Sequence, residues 1–169
     1  MSDRSVTMKG SPLALVGTEV SVGQAGPDAE LTANDLSSVK ISDYKGKIVV
    51  ITTVPSLDTS VCDTMTRRFN EEATKLDKDV TVLAVSTDLP FAQARWCGAA
   101  GVENVQTLSD HRDAAFGNAY GVLIDGLRLL ARAVFVLDKE GVIRYVQIVP
   151  ELTSEPDYAN ALDAVGKLV

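Results

Sequence analysis

Two cysteines, one histidine and one tryptophan in 169 residues exclude more than they suggest. A disulfide framework needs several paired cysteines and a structural zinc site usually takes four Cys or His ligands, so neither fits this chain. Cationic charge is also scarce, with 16 Lys and Arg against 23 Asp and Glu and a formal net charge of -7. Such a balance repels phosphate backbones and anionic lipid, which argues against nucleic acid or a membrane surface as partner. There is no run of about 18 apolar residues, and Met1 to Gly10 (MSDRSVTMKG) has no apolar stretch behind a basic start. A cytoplasmic protein without a membrane partner is expected. No repeat, low-complexity segment or Gly-rich nucleotide loop is present, so the expectation is one domain over residues 1–169 with no cofactor.

Hydrophobic residues make up 46% of the chain, and a domain of this size buries roughly 70% of its unfolded surface. Short β-type runs between Val6 and Gly23, broken by Gly10 and Gly17, predict an N-terminal hairpin. Lys47 to Val54 (KIVVITTV) and Thr81 to Ser86 (TVLAVS) are apolar at both alternating positions, as strands covered on both faces are. Between them Val61, Cys62, Met65, Phe69, Ala73 and Leu76 share one helical stripe, with Arg67, Arg68, Glu71, Glu72 and Lys75 elsewhere. A second helix is predicted from Pro90, stopping around Gly98 to Gly101, with Cys97 in its last turn. Strands over Ala131 to Leu137 and Val142 to Val149 flank the turn Asp138 to Gly141, and an amphipathic helix spans Tyr158 to Leu168. The order predicts an α/β fold: a central mixed sheet with helices on both faces, laid out as in a thioredoxin-like domain.

Composition leaves the cysteines open between inert core thiols and redox chemistry. The stretch Pro55 to Cys62 leaves a buried strand and enters a helix, where backbone amides lack helical partners. Ser60 and Asp63 fit a capping box, which places Cys62 in the first turn, where the helix dipole favours a thiolate and Asp63 opposes it slightly. The alternative is that Cys62 merely begins the apolar stripe. Arg132 interrupts an otherwise apolar strand pattern, and a buried guanidinium requires an anion or strong acceptors. It either faces the thiolate, pairs with a carboxylate, or snorkels from a strand end. His111, in the polar stretch Ser109 to Asp113, reads as a loop residue, and Trp96 beside Cys97 reads as packing.

The pattern P-x-x-x-T-x-x-C, filled by Pro55, Thr59 and Cys62, resembles the active-site signature of peroxiredoxins. Asp88 to Gln93, Arg95 to Gly98 and Leu129 to Phe135 resemble the bacterial thiol peroxidase branch, the atypical two-cysteine peroxiredoxins, and the likeness extends to the hairpin and to Ser154 to Tyr158. The resemblance implies a thiol-dependent peroxidase acting on hydrogen peroxide and organic hydroperoxides. It implies Cys62 as the peroxidatic cysteine, Thr59 bonding thiolate and peroxide, Arg132 stabilising both, and Pro55 excluding water. It further implies Cys97 as the resolving cysteine, an intramolecular Cys62–Cys97 disulfide, thioredoxin as reductant and a homodimer. Two rivals remain. A thioredoxin-fold disulfide reductase is weakened by the absence of C-x-x-C, and a non-enzymatic redox sensor is separated only by turnover.

Overall fold

A computed structural model describes residues 4–73, 75–101 and 104–169. The chain opens with β1 (Ser5–Met8) and β2 (Ser11–Val16), an antiparallel hairpin turning through Lys9 and Gly10, both at positive φ. Positive φ at both central positions matches the right-handed twist of paired strands. The predicted hairpin is therefore present, although its third run, Glu19 to Gly23, is loop.

There follow β3 (Glu30–Thr32), β4 (Ser38–Lys40), a 3-10 turn at Ile41–Tyr44, β5 (Ile48–Thr53), α1 (Ser60–Ala73), β6 (Val80–Ser86) and α2 (Pro90–Ala100). Next come β7 (Val105–Ser109), α3 (Ala115–Ala119), β8 (Leu123–Ile124), β9 (Ala133–Leu137), β10 (Ile143–Ile148) and α4 (Tyr158–Gly166). The main sheet runs β10-β9-β5-β6-β7-β3-β4, with β5, β6 and β7 parallel and the outer strands antiparallel to their neighbours. Strand β8 joins the hairpin in a second, three-stranded sheet. Among the described residues no helix is long and apolar enough to cross a membrane.

Alternation along β5 explains the layers. Val49 and Ile51 face a cluster containing Phe116, Tyr120 and Phe135, whereas Ile48 and Val50 face Cys62, Met65, Phe69 and the α4 residues Tyr158, Ala161 and Val165. Both faces of the strand are thus covered, as its continuous apolar run requires. Leu76 lies beyond α1 but still packs against the second cluster. Strand β7 escaped the pattern because Thr107 and Ser109 are polar yet buried, so no period-2 signal of apolar residues survives. Strands β3, β4 and β8, two or three residues each, are too short to show one. Arg132 immediately precedes β9 rather than standing inside it.

Candidate active site

The parallel strands β5 and β6 end side by side, and the loop from β5 into α1 is fastened to the loop leaving β6. Ser56 donates to Asp88 Oδ1 at 2.7 Å, the Leu57 amide donates to Asp88 Oδ2 at 2.8 Å, and Ser86 donates to the same oxygen at 2.7 Å. Asp88 is therefore the buckle of the loop. It was visible in the sequence only inside a motif; the Ser86-x-Asp88 spacing at a strand end was the available signal.

The helix cap falls one residue earlier than Ser60. Thr59 Oγ1 accepts from the Cys62 amide at 3.3 Å and donates to the Ser56 carbonyl at 3.2 Å, while the Thr59 carbonyl accepts from the Asp63 amide at 2.9 Å. Thr59 is the N-cap. The expected box of Ser60 and Asp63 is replaced because Asp63 turns its carboxylate sideways, accepting from Arg67 Nε and from the Trp96 indole N–H, each at 2.8 Å. Cys62 still lies in the first turn and is fully buried.

A pocket of about 170 Å³ lies beside this turn, lined by Pro55, Thr59, Val61 and Arg132 with apolar walls from Met8, Leu127, Leu129 and Leu152. The structure thus brings Pro55, Thr59 and Arg132 together at one cavity, with Cys62 buried one residue beyond its wall. Arg132 is 2% exposed; Nε and Nη2 donate to the Leu152 carbonyl at 3.0 and 2.7 Å, and Nη1 to Met65 Sδ at 3.6 Å. No carboxylate among the described residues pairs with it. These bonds leave part of its five-donor fork for an incoming anion.

The segment that carries the Leu152 carbonyl is held by the hairpin. The Thr7 amide donates to the Pro150 carbonyl at 2.7 Å and the Leu152 amide to the Thr7 carbonyl at 2.8 Å. Glu151 accepts from Thr7 Oγ1, from the Gly10 amide, and from the Thr153 amide and hydroxyl. Those bonds, the Thr153 hydroxyl first, lower its carboxyl to about 2.

Cys97 lies apart. It is half-exposed on α2, its Sγ 3.5 Å from Thr107 Oγ1, at a polar groove of about 600 Å³. Both cysteines are free thiols. Trp96 packs against the second cluster, as its packing role requires, but it also carries the bond to Asp63. His111 is half-buried, with Nδ1 3.0 Å from Ser109 Oγ. Among the described residues no group of three or more His, Cys, Asp or Glu is placed to hold a metal ion.

A model of the redoxin family matches residues 21–162. A thiol peroxidase of Bacillus subtilis is 54% identical over 164 residues, covering 97% of this chain and 98% of that protein. One from Halalkalibacterium halodurans is 57% identical over 160 residues, covering 95% and 96%. The crystal structure of a peroxiredoxin-like protein from Aquifex aeolicus superposes with a TM-score of 0.92 at 46% identity, over 98% of each chain. A thiol peroxidase from Chromobacterium violaceum, at 19% identity and a TM-score of 0.88, shares the fold. With a thioredoxin-like sheet, a cysteine in the first turn after the central strand and relatives matching it nearly end to end, the chain belongs to the redoxin family, in its bacterial thiol peroxidase branch.

Proposed function

We propose that this protein is a thiol-dependent peroxidase reducing hydrogen peroxide and organic hydroperoxides, with Cys62 as its nucleophile and Cys97 as its resolver. The observation that carries the reading is a buried guanidinium with no carboxylate partner among the described residues, lining the same pocket as Thr59 at the helix turn that bears Cys62. A buried cation needs a compensating anion or strong acceptors; here the chemistry supplies the anion, first as thiolate and then as charge on the parting peroxide oxygen.

The Cys62 thiolate attacks the terminal peroxide oxygen, the O–O bond breaks, and the leaving oxygen departs as water or alcohol after taking a proton. Cys62 is left as sulfenic acid. A free thiol is a few per cent ionised at pH 7, so full ionisation alone gains roughly 30-fold. The larger part of the acceleration rests on donors aimed at the stretched O–O bond, which are Arg132, the Thr59 hydroxyl and the first-turn amides. Pro55 and the apolar walls keep water away from them.

The Cys97 thiol then attacks the sulfenic sulfur; the S–O bond breaks, water leaves, and an intramolecular Cys62–Cys97 disulfide forms. A dithiol reductant of the thioredoxin class returns both thiols. We assign the reaction to a single domain of the whole chain, acting in the cytoplasm as a homodimer. Mass spectrometry after one equivalent of peroxide tests the scheme: an internal Cys62–Cys97 link is expected in wild type, and a persistent, easily overoxidised sulfenic acid in Cys97→Ser. A chain-to-chain disulfide as the main product would overturn the assignment of Cys97.

A further inference from the structure

The residue after Cys62 and the residue before Cys97 are bonded to each other. Asp63 Oδ1 accepts from Trp96 Nε1 at 2.8 Å, and Asp63 Oδ2 accepts from Arg67 Nε at 2.8 Å. Arg67 Nη1 then reaches across to the Ala100 carbonyl at 3.2 Å, and its guanidinium lies 6.0 Å from the Trp96 ring centroid. Ala100 closes α2, just before Gly101 in the left-handed conformation. Three side chains therefore fasten the first turns of α1 to the last turns of α2, which are the two segments that carry the cysteines.

From this geometry we infer that Asp63, Arg67 and Trp96 are positioning residues for the resolving step: a latch whose release governs whether oxidised Cys62 becomes disulfide or sulfinic acid. The inference rests on Cys62 and Cys97 being the proposed pair. Cys62 is fully buried and Cys97 is seated against Thr107 of β7, whereas a disulfide needs Cα atoms within about 7 Å. The two thiols are not joined in this arrangement, and on this inference at least one of the two turns leaves its seat when they join. A last helical turn ending at a glycine frays at little cost, and here that turn is held by Trp96 and Ala100. Bonds made only in the seated arrangement lower the population of the open one. They keep the pocket intact for peroxide, and they prolong the life of the seated sulfenic acid, which a second peroxide oxidises to sulfinic acid with loss of water or alcohol. Asp63, turned away from the helix cap to meet Trp96 and Arg67, suits this second task.

Trp96→Phe keeps an aromatic ring and removes the pyrrole half of the indole, and with it the N–H that binds Asp63. Arg67→Gln removes the ion pair and keeps the tryptophan, the only one in the chain, as a fluorescent reporter. Reduced protein is mixed with peroxide, quenched with an alkylating agent at intervals, and counted by mass as sulfenic acid, disulfide and sulfinic acid. Loss of one hydrogen bond to a charged group predicts disulfide formation faster by roughly tenfold or more in Trp96→Phe, and by about threefold in Arg67→Gln, whose ion pair is partly exposed. The peroxide concentration giving half-maximal sulfinic acid should rise by the same factors, while consumption of the first peroxide stays within about twofold. A purely structural role would lower the melting temperature without accelerating any step. Disulfide formation at or below the wild-type rate in both variants overturns the latch while leaving the resolver intact. Failure of wild type to form the internal disulfide overturns the resolver, and the latch with it.

Discussion

The two cysteines occupy opposite kinds of place. Cys62 is fully buried at a capped helix start, among Met65, Phe69 and α4, beside a pocket with apolar walls. Cys97 is half-exposed on a helix that buries only Pro90 and Gln93, over a polar groove. Peroxide chemistry needs fixed donors in a water-poor site, whereas the partner that must travel is better placed where few apolar contacts are lost on moving. On the proposed roles, the contrast suits Cys62 to a fixed site and Cys97 to movement.

Arg132→Met should break the contrast most severely, since it removes the buried cation that lines the pocket. Peroxide reduction is expected to fall about 100-fold. It should stay depressed at pH about 9.5, where an ordinary thiol is mostly ionised; full recovery there would restrict Arg132 to ionisation.

Thr59→Val should act on stability and rate together. Thr59 is the N-cap, so its loss should cost about 1 kcal/mol and lower the melting temperature by roughly 2–4 °C. The rate per folded molecule should also drop, by about tenfold. A fall in stability with unchanged rate per folded molecule would reduce Thr59 to its cap.

Glu151→Gln should have the mildest effect, because it reaches the site only through the Leu152 carbonyl and the pocket wall at Met8 and Thr153. We expect KM for bulky hydroperoxides to rise about threefold with kcat nearly kept. The pH dependence has a definite sign. The folded-state value of about 2 lies below the ordinary 4.5, so the stabilisation is fully present above about pH 4.5 and is lost as pH falls through 2. Acid titration of hairpin docking, followed by NMR of the Thr7 and Gly10 amides, should show this transition in wild type and not in the variant.

Much of this was legible in the sequence for identifiable reasons. Strands buried on both faces declare themselves by continuous β-branched runs, as Ile48–Thr53 does, and Pro55, Thr59, Cys62 and Arg132 stand in a recognisable pattern. Misplacing the cap by one residue followed from two adjacent hydroxyl residues, Thr59 and Ser60, either of which can cap. Strand β7 was hidden because its buried polar residues are satisfied by partners distant in sequence, Thr107 by Asn34 and Ser109 by the Asp88 carbonyl. The bond between Asp63 and Trp96 spans 33 positions and depends on how two helices cross, which no local pattern encodes.

Zero exposure of the Cys62 side chain turns an ordinary alkylating reagent into a clock for structural opening. At low reagent concentration, labelling of Cys97 proceeds from the folded molecule and that of Cys62 waits for the first turn of α1 to swing out. With the intrinsic reactivity of each thiol calibrated in denaturant, the ratio of the two labelling rates gives an opening constant for the resting enzyme, free of any catalytic assay.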